Sequence, residues 1–148
     1  KETLLSIIEG SVQVLEEPLK KHKIKVNINC DRSIELLCWK QDMYTALINI
    51  IDNSIYWLQK TSNDSKTLDI EVSNEDGIVI DIIDNGLGIK QEDIESCIIF
   101  EPEYSTKEDG TGLGLALAGE ACSRNDLGLY AIYKKDGAHL QIRTKDND

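Results

Sequence analysis

The 148-residue chain carries 16 Lys and Arg against 27 Asp and Glu, a formal net charge of −11 at pH 7, with 41% hydrophobic residues. That length and apolar content fit one folded soluble domain with a single core, and the acidic balance argues against a broad nucleic-acid surface, which wants a basic stripe. No apolar run approaches the roughly 20 residues of a membrane span and no signal-peptide pattern is present, while a start at Lys1 rather than Met gives the expectation of a piece cut from a longer protein.

Residues 2–17 read as an amphipathic helix, with Leu4, Ile8, Val12 and Leu15 on one face and Pro18 just past its end. Ile24, Val26, Ile28 and Cys30 alternate with polar residues, the period of a half-buried strand. A short apolar piece, residues 34–39, leads into the longest helical pattern, about residues 41–60. Met43, Leu47, Ile50, Ile51, Ile55 and Leu58 supply its core face. Asn49 and Asn53 are i,i+4 neighbours on one side, which Tyr56, Trp57 and Lys60 continue. Asparagine is a mediocre helix former. Two facing one way suit either a solvated edge or a carboxamide oxygen that coordinates a hard cation such as Mg²⁺.

After a polar loop at 62–66, Leu68, Ile70 and Val72 mark a strand and Asn74-Glu75-Asp76-Gly77 a turn. The returning strand, residues 78–83, is almost continuously β-branched and should be central. It ends in Asp84-Asn85-Gly86-Leu87-Gly88. This is either an ordinary strand exit, or an acidic residue closing a buried strand before glycines that let a ligand approach the backbone. Residues 91–98 read as a short helix broken at Phe100-Glu101-Pro102. A polar stretch with Lys107 then runs into Gly110-Thr111-Gly112-Leu113-Gly114 and a helix over about 111–124. Bare amides at a helix N-terminus form an anion site, although glycine clusters alone more often mark turns. Asn125 and Gly128 end that helix. Residues 129–133 and 138–143 form a hairpin around Asp136-Gly137, and 145–148 a frayed tail. The four cysteines, Cys30, Cys38, Cys97 and Cys122, lack C-x-x-C spacing and read as buried free thiols in a reducing compartment.

In this order, Asn49-x-x-x-Asn53, Asp84-x-Gly86-x-Gly88, Phe100-Glu101-Pro102 and Gly110-Thr111-Gly112-Leu113-Gly114-Leu115 resemble four motifs of the GHKL ATP-binding superfamily. They correspond to its N box, first glycine box, F box and second glycine box, and within the superfamily they look most like the catalytic domain of sensor histidine kinases. The resemblance spans about residues 1–145. It implies an α/β two-layer sandwich, with one mixed, mostly antiparallel sheet covered on one face by three main helices. It also implies ATP and Mg²⁺ as ligands and transfer of the γ-phosphoryl group to a histidine on separate dimerisation and phosphoacceptor helices. A response regulator would be an indirect partner. The domain would be cytoplasmic, without nucleic-acid or membrane contact of its own, in a parent that could itself be membrane-anchored.

By the same resemblance, Asn53 would bind Mg²⁺ and Asp84 would accept a hydrogen bond from the adenine amino group. Gly86 and Gly88 would let the backbone meet the base, with Trp57 stacked on the base or packed in the core. Residues 89–109 would form an ATP lid with Thr106 and Lys107 near the phosphates, and Gly110, Thr111, Gly112, Leu113 and Gly114 would cradle them. Asn49 stands where hydrolysing relatives carry a glutamate, and an amide cannot take a proton as a carboxylate does. Transfer to an acceptor is therefore expected over hydrolysis, with Asn49, Asn53 and Lys107 as the catalytic set. Tyr56 stands where such kinases often have Lys or Arg, so either Lys60, one turn on, substitutes for it at the phosphate or phosphate affinity is lower. Glu103 replaces an expected second aromatic. His22 and His139 lie outside the family's acceptor context. The other readings are a serine kinase of the anti-sigma type and a degenerate domain that serves as a nucleotide-sensing interaction module.

Overall fold

A computed structural model describes residues 1–61, 64–96, 98–100 and 114–144. In chain order the elements begin with β1 (Glu2–Thr3), α1 (Leu4–Val14), α2 (Glu16–Lys21), β2 (Ile24–Asn29) and β3 (Glu35–Leu36). The long helix α3 (Lys40–Lys60), β4 (Lys66–Ser73), β5 (Val79–Asp84) and α4 (Gln91–Glu95) follow. A 3-10 turn at Ile98–Phe100, α5 (Gly114–Ser123), β6 (Leu127–Ile132) and β7 (Ala138–Thr144) complete them.

Alternation decides which side of each strand is buried. Leu68 and Ile70, Ile80 and Ile82, Leu140 and Ile142 all point to the core, and their odd-numbered neighbours point away. The strand order is β2-β4-β5-β7-β6, with β2 parallel to β4 and the remaining pairs antiparallel. The expected mixed, mostly antiparallel sheet is thus formed, and β5 is central as its β-branched run predicts. Helices cover its apolar face: Leu4, Ile7 and Ile8 of α1, the buried arc of α3, and Ala118, Ala121 and Cys122 of α5 join the strands in one core. Gly10 lets α1 approach α3 closely, because a β-carbon there would sit 2.6 Å from the Tyr44 hydroxyl. The opposite face is polar. Asp81 Oδ1 lies 2.7 Å from His139 Nε2 and 2.8 Å from Gln141 Nε2.

Several boundaries differ from expectation. The helix expected over 2–17 ends at Val14, and a second one, α2, holds Pro18 inside its first turn rather than after the helix. A proline is tolerated there because first-turn N–H groups have no intrahelical partner. Residues 2–3 instead form a two-residue strand with β3, in the register Glu2↔Leu36 and Thr3↔Glu35. The helix expected over 91–98 ends at Glu95. β6 starts at Leu127, two residues early, because Asp126 takes a left-handed φ of 60° and turns the chain directly out of α5.

Candidate functional site

About 100° of turn per residue places Asn49 and Asn53 on the flank of α3, beside the buried arc of Ala46, Ile50 and Ser54, and both are half-buried. What meets that flank is α5. A β-carbon at Gly114 would lie 3.5 Å from Asn49 Oδ1, so the Asn49 oxygen faces the beginning of α5. At the other end, Arg124 Nη2 pairs with Asp42 Oδ1 at 3.0 Å, which makes the two helices antiparallel. The guanidinium holds the Asp42 carboxyl below its usual range.

Asn125 fixes this pairing. Its Oδ1 accepts from the Trp39 N–H at 2.7 Å, at the entry to α3, and its amide donates to Ala121 O at 2.8 Å and Asp42 Oδ2 at 3.3 Å. One side chain thereby satisfies orphan groups at the ends of two helices. Asn49 donates its own amide to Thr45 O at 2.8 Å, which leaves its oxygen directed at α5. Among the described residues none bonds the Asn53 carboxamide.

The second half of the site is the end of β5. Asp84 is only 4% exposed, too buried for an ionised carboxylate without donors. Its Oδ1 accepts from the Gly86 N–H at 2.9 Å and the Ala138 N–H at 3.2 Å, and the Ser54 hydroxyl of α3 also donates to the carboxyl. Burial pushes its pKa up, and the hydrogen bonds and the Lys134 charge counter that only in part. The turn itself is pinned by Asn85, which accepts from the Thr67 N–H at 2.9 Å and donates to Ser65 O at 2.6 Å.

Two glycines here have left-handed φ and no room. A β-carbon on Gly88 (φ +86°) would meet Gly137 O at 2.8 Å, and one on Gly137 (φ +132°) would fall 1.9 Å from Asp84 O. Three backbone segments therefore pack on one another around the Asp84 carboxylate, two of them from the β5 exit and one from the β6–β7 turn.

Of the residues singled out from the sequence, Asn49 and Gly114 meet at the α3–α5 seam with Asn53 one turn further along the same flank of α3, and Asp84, Gly86 and Gly88 come together at the β5 exit. Ser54, one residue from Asn53, links the two groups. Trp57 is half-buried and meets Tyr56 edge-on, with ring centroids 5.1 Å apart. Lys60 Nζ lies 5.0 Å over the Tyr56 ring, on the same flank. Thr106, Lys107, Gly110, Thr111, Gly112 and Leu113, with Glu103 and the rest of the expected lid from 101 to 109, lie outside the described residues. Sequence reasoning missed Ser54, Asn85, Asn125, Gly137 and Ala138. Asn125 and Gly137 read fully as a helix stop and a turn, and nothing in the sequence marks their second, tertiary use.

Residues 40–147 match the family described as histidine kinase-, DNA gyrase B-, and HSP90-like ATPase. The sensor histidine kinase ZraS of Salmonella typhi is 29% identical over 115 residues, covering 77% of this chain and 24% of that protein. The chain thus spans about a quarter of that relative's length. The catalytic domain of histidine kinase ThkA has the same fold, with a TM-score of 0.80 at 19% identity over 96% of this chain and 91% of that one. Full-length ShkA in complex with AMPPNP gives a TM-score of 0.74 at 16% identity, over 94% of this chain and 29% of that one.

Proposed function

Because the chain belongs to the histidine kinase-, DNA gyrase B- and HSP90-like ATPase family, we propose that it is the ATP-binding catalytic domain of a sensor histidine kinase. It would be one domain of a longer protein, passing the γ-phosphoryl group of ATP to a histidine on dimerisation and phosphoacceptor helices outside this chain. A response regulator would receive the group in turn, and the domain would work in the cytoplasm. Among the described residues no helix is long and apolar enough to cross a membrane. The complex of ShkA with AMPPNP, an adenine nucleotide bound by a protein of the same fold, supports the choice of ligand.

The observation that carries the kinase reading is Asn49. Its oxygen faces the start of α5, where phosphates are expected, and its amide is tied to Thr45 O. A carboxylate in that place could take a proton from water; a carboxamide cannot. The phosphoryl group is then held for an external acceptor rather than released, and rate comes from positioning.

The remaining roles are those that the family resemblance implies for these residues. Asp84 accepts from the adenine amino group, with Gly86 and Gly88 giving the base room against the backbone. Trp57 flanks the base. The start of α5 at Gly114, together with Gly110, Thr111, Gly112 and Leu113, donates N–H groups to phosphate oxygens. Thr106 and Lys107 belong to the lid at 89–109 and act on the same phosphates, and the exposed Lys60 can leave the half-buried Tyr56 ring to do so, since a contact made by an exposed charge is worth about 0.5–1 kcal/mol. The unengaged Asn53 oxygen suits Mg²⁺, a hard ion that takes oxygen ligands and keeps several waters and phosphates. When bound, Mg²⁺ neutralises phosphate charge.

A calorimetric titration with ATP, with and without Mg²⁺, on this chain and on Asp84→Asn tests the reading. The expected result is Mg²⁺-strengthened binding that the variant loses. No heat at millimolar ATP would reject it.

A further inference from the structure

Ser54 is the one polar residue on the buried arc of α3, set among Leu47, Ile50, Ile51, Ile55 and Leu58. Packing gives no reason for it. Alanine would fit that arc and suits a helix better, and a buried hydroxyl costs free energy unless it is bonded. A common partner for a serine inside a helix is the carbonyl four residues back, and buried Ser11 of α1 uses it, donating to Ile7 O at 2.8 Å. The Ser54 hydroxyl donates to the Asp84 carboxyl, on a strand of the sheet. Leu58, one turn on and on the same face of α3, reaches the same place: a β-carbon on Gly86 would lie 3.5 Å from Leu58 Cδ2 and 3.2 Å from Asp84 Oδ1.

Asp84 thus has three protein donors: the Gly86 N–H at the β5 exit, the Ala138 N–H at the start of β7, and Ser54 of α3. The two N–H groups both grip Oδ1, so on their own they leave the carboxyl free to turn about that oxygen. The Ser54 bond comes from the helix layer, and of the three it alone is made by a side chain. An ionised carboxylate accepts at about four lone-pair sites and donates nothing. With three of them taken, one is left for an N–H of a ligand.

We infer that Ser54 is a positioning residue: its hydroxyl fixes the plane of the Asp84 carboxyl so that the remaining lone pair meets the exocyclic amino group of adenine, and it thereby sets the preference for an amino-bearing purine. This rests on the reading of the chain as an ATP-binding domain.

The test is a pair of dissociation constants, at pH 8 and fixed Mg²⁺, for ATP and for purine riboside triphosphate, which carries hydrogen where adenine carries its amino group. The unaltered chain should prefer ATP by about tenfold or more, the size expected of a hydrogen bond to a charged acceptor. Ser54→Ala should fold, since alanine is the best helix former. Its preference should drop to about threefold or less, as the bond to the amino group is lost. A merely structural role for Ser54 would weaken both nucleotides alike and leave the ratio unchanged, and that result overturns the inference. Ser54→Cys keeps the volume but offers only a weak donor, so it should lose preference as Ser54→Ala does. A full ratio in Ser54→Cys would give the role to packing and overturn the inference as well. Binding of neither nucleotide by the unaltered chain would overturn the ATP reading itself, whereas ATP binding with an unchanged ratio in Ser54→Ala overturns only the assignment of Ser54.

Discussion

At the scale of single residues, Asp84 sets stability against function. Its pKa is raised in the folded state, because burial outweighs its donors. A raised folded value means that the stabilising contribution is complete below the ordinary carboxyl value of about 3.9 and is lost as pH rises through the folded value. Above the folded value the buried charge is therefore a burden on the fold. Asp84→Asn should keep or raise the urea midpoint at pH 7 while weakening ATP binding at least tenfold, and a variant that binds ATP normally would remove Asp84 from the adenine site. Asn49→Glu should do the converse chemistry, increasing phosphate release without an acceptor, as read in a phosphate assay. Gly137→Ala should cost about 2 kcal/mol or more in urea denaturation, since both its φ of +132° and the contact with Asp84 O exclude a β-carbon. Asp84 was legible in the sequence as an acidic end to a buried strand. Gly137 was not, because an Asp-Gly turn already accounts for it, and its partner lies more than 50 positions away in the chain.

At the scale of elements, the α3–α5 seam depends on Asn125. Removing its side chain in Asn125→Ala strands the Trp39 N–H and the Ala121 carbonyl and takes one donor from Asp42. At about 1–3 kcal/mol for a buried group left unsatisfied, the unfolding free energy in urea should fall by that order, and Asn125→Asp, which keeps the acceptor for Trp39 but sets a second carboxylate against Asp42 and the Ala121 carbonyl, should not recover it. Helix α3 and the strands β4 and β5 were legible because each is long enough to repeat its period. The break between α1 and α2 was not: Pro18 was read as a stop signal, and a proline in a first turn starts a helix as readily as it follows one. β1 and β3, two residues each, are too short to have a period at all.

For the whole molecule, one core joins α1, α3, α5 and the sheet, so α5 should not open by itself. Cys122 on α5 reports on this. It is fully buried, with its thiol pushed up to about 12, whereas Cys30 and Cys38 are partly exposed. A thiol reagent at pH 8 should label Cys30 and Cys38 promptly and Cys122 only at the rate of global unfolding. Fast labelling of Cys122 in the native protein would mean that α5 is a separate cooperative unit. The architecture was legible from the order of the motifs together with the alternation of the strands. The parallel β2–β4 pair was not, because alternation says which face is buried and nothing about which strand lies next to which.

The sheet order leaves β2 and β6 as the outer strands, and they differ. β2 shows Lys25, Asn27 and Asn29 on its solvent face, whereas the six residues of β6, Leu127 to Ile132, contain no charge at all. A short uncharged apolar strand at an edge is a template for amyloid-like stacking. The fold guards it from both ends and from one face: Asp126 precedes it, Lys134 and Lys135 follow it closely, and the Arg143 guanidinium lies 3.8 Å over the Tyr130 ring. Shaken at neutral pH, the protein should form fibrils sooner once those guards are neutralised together.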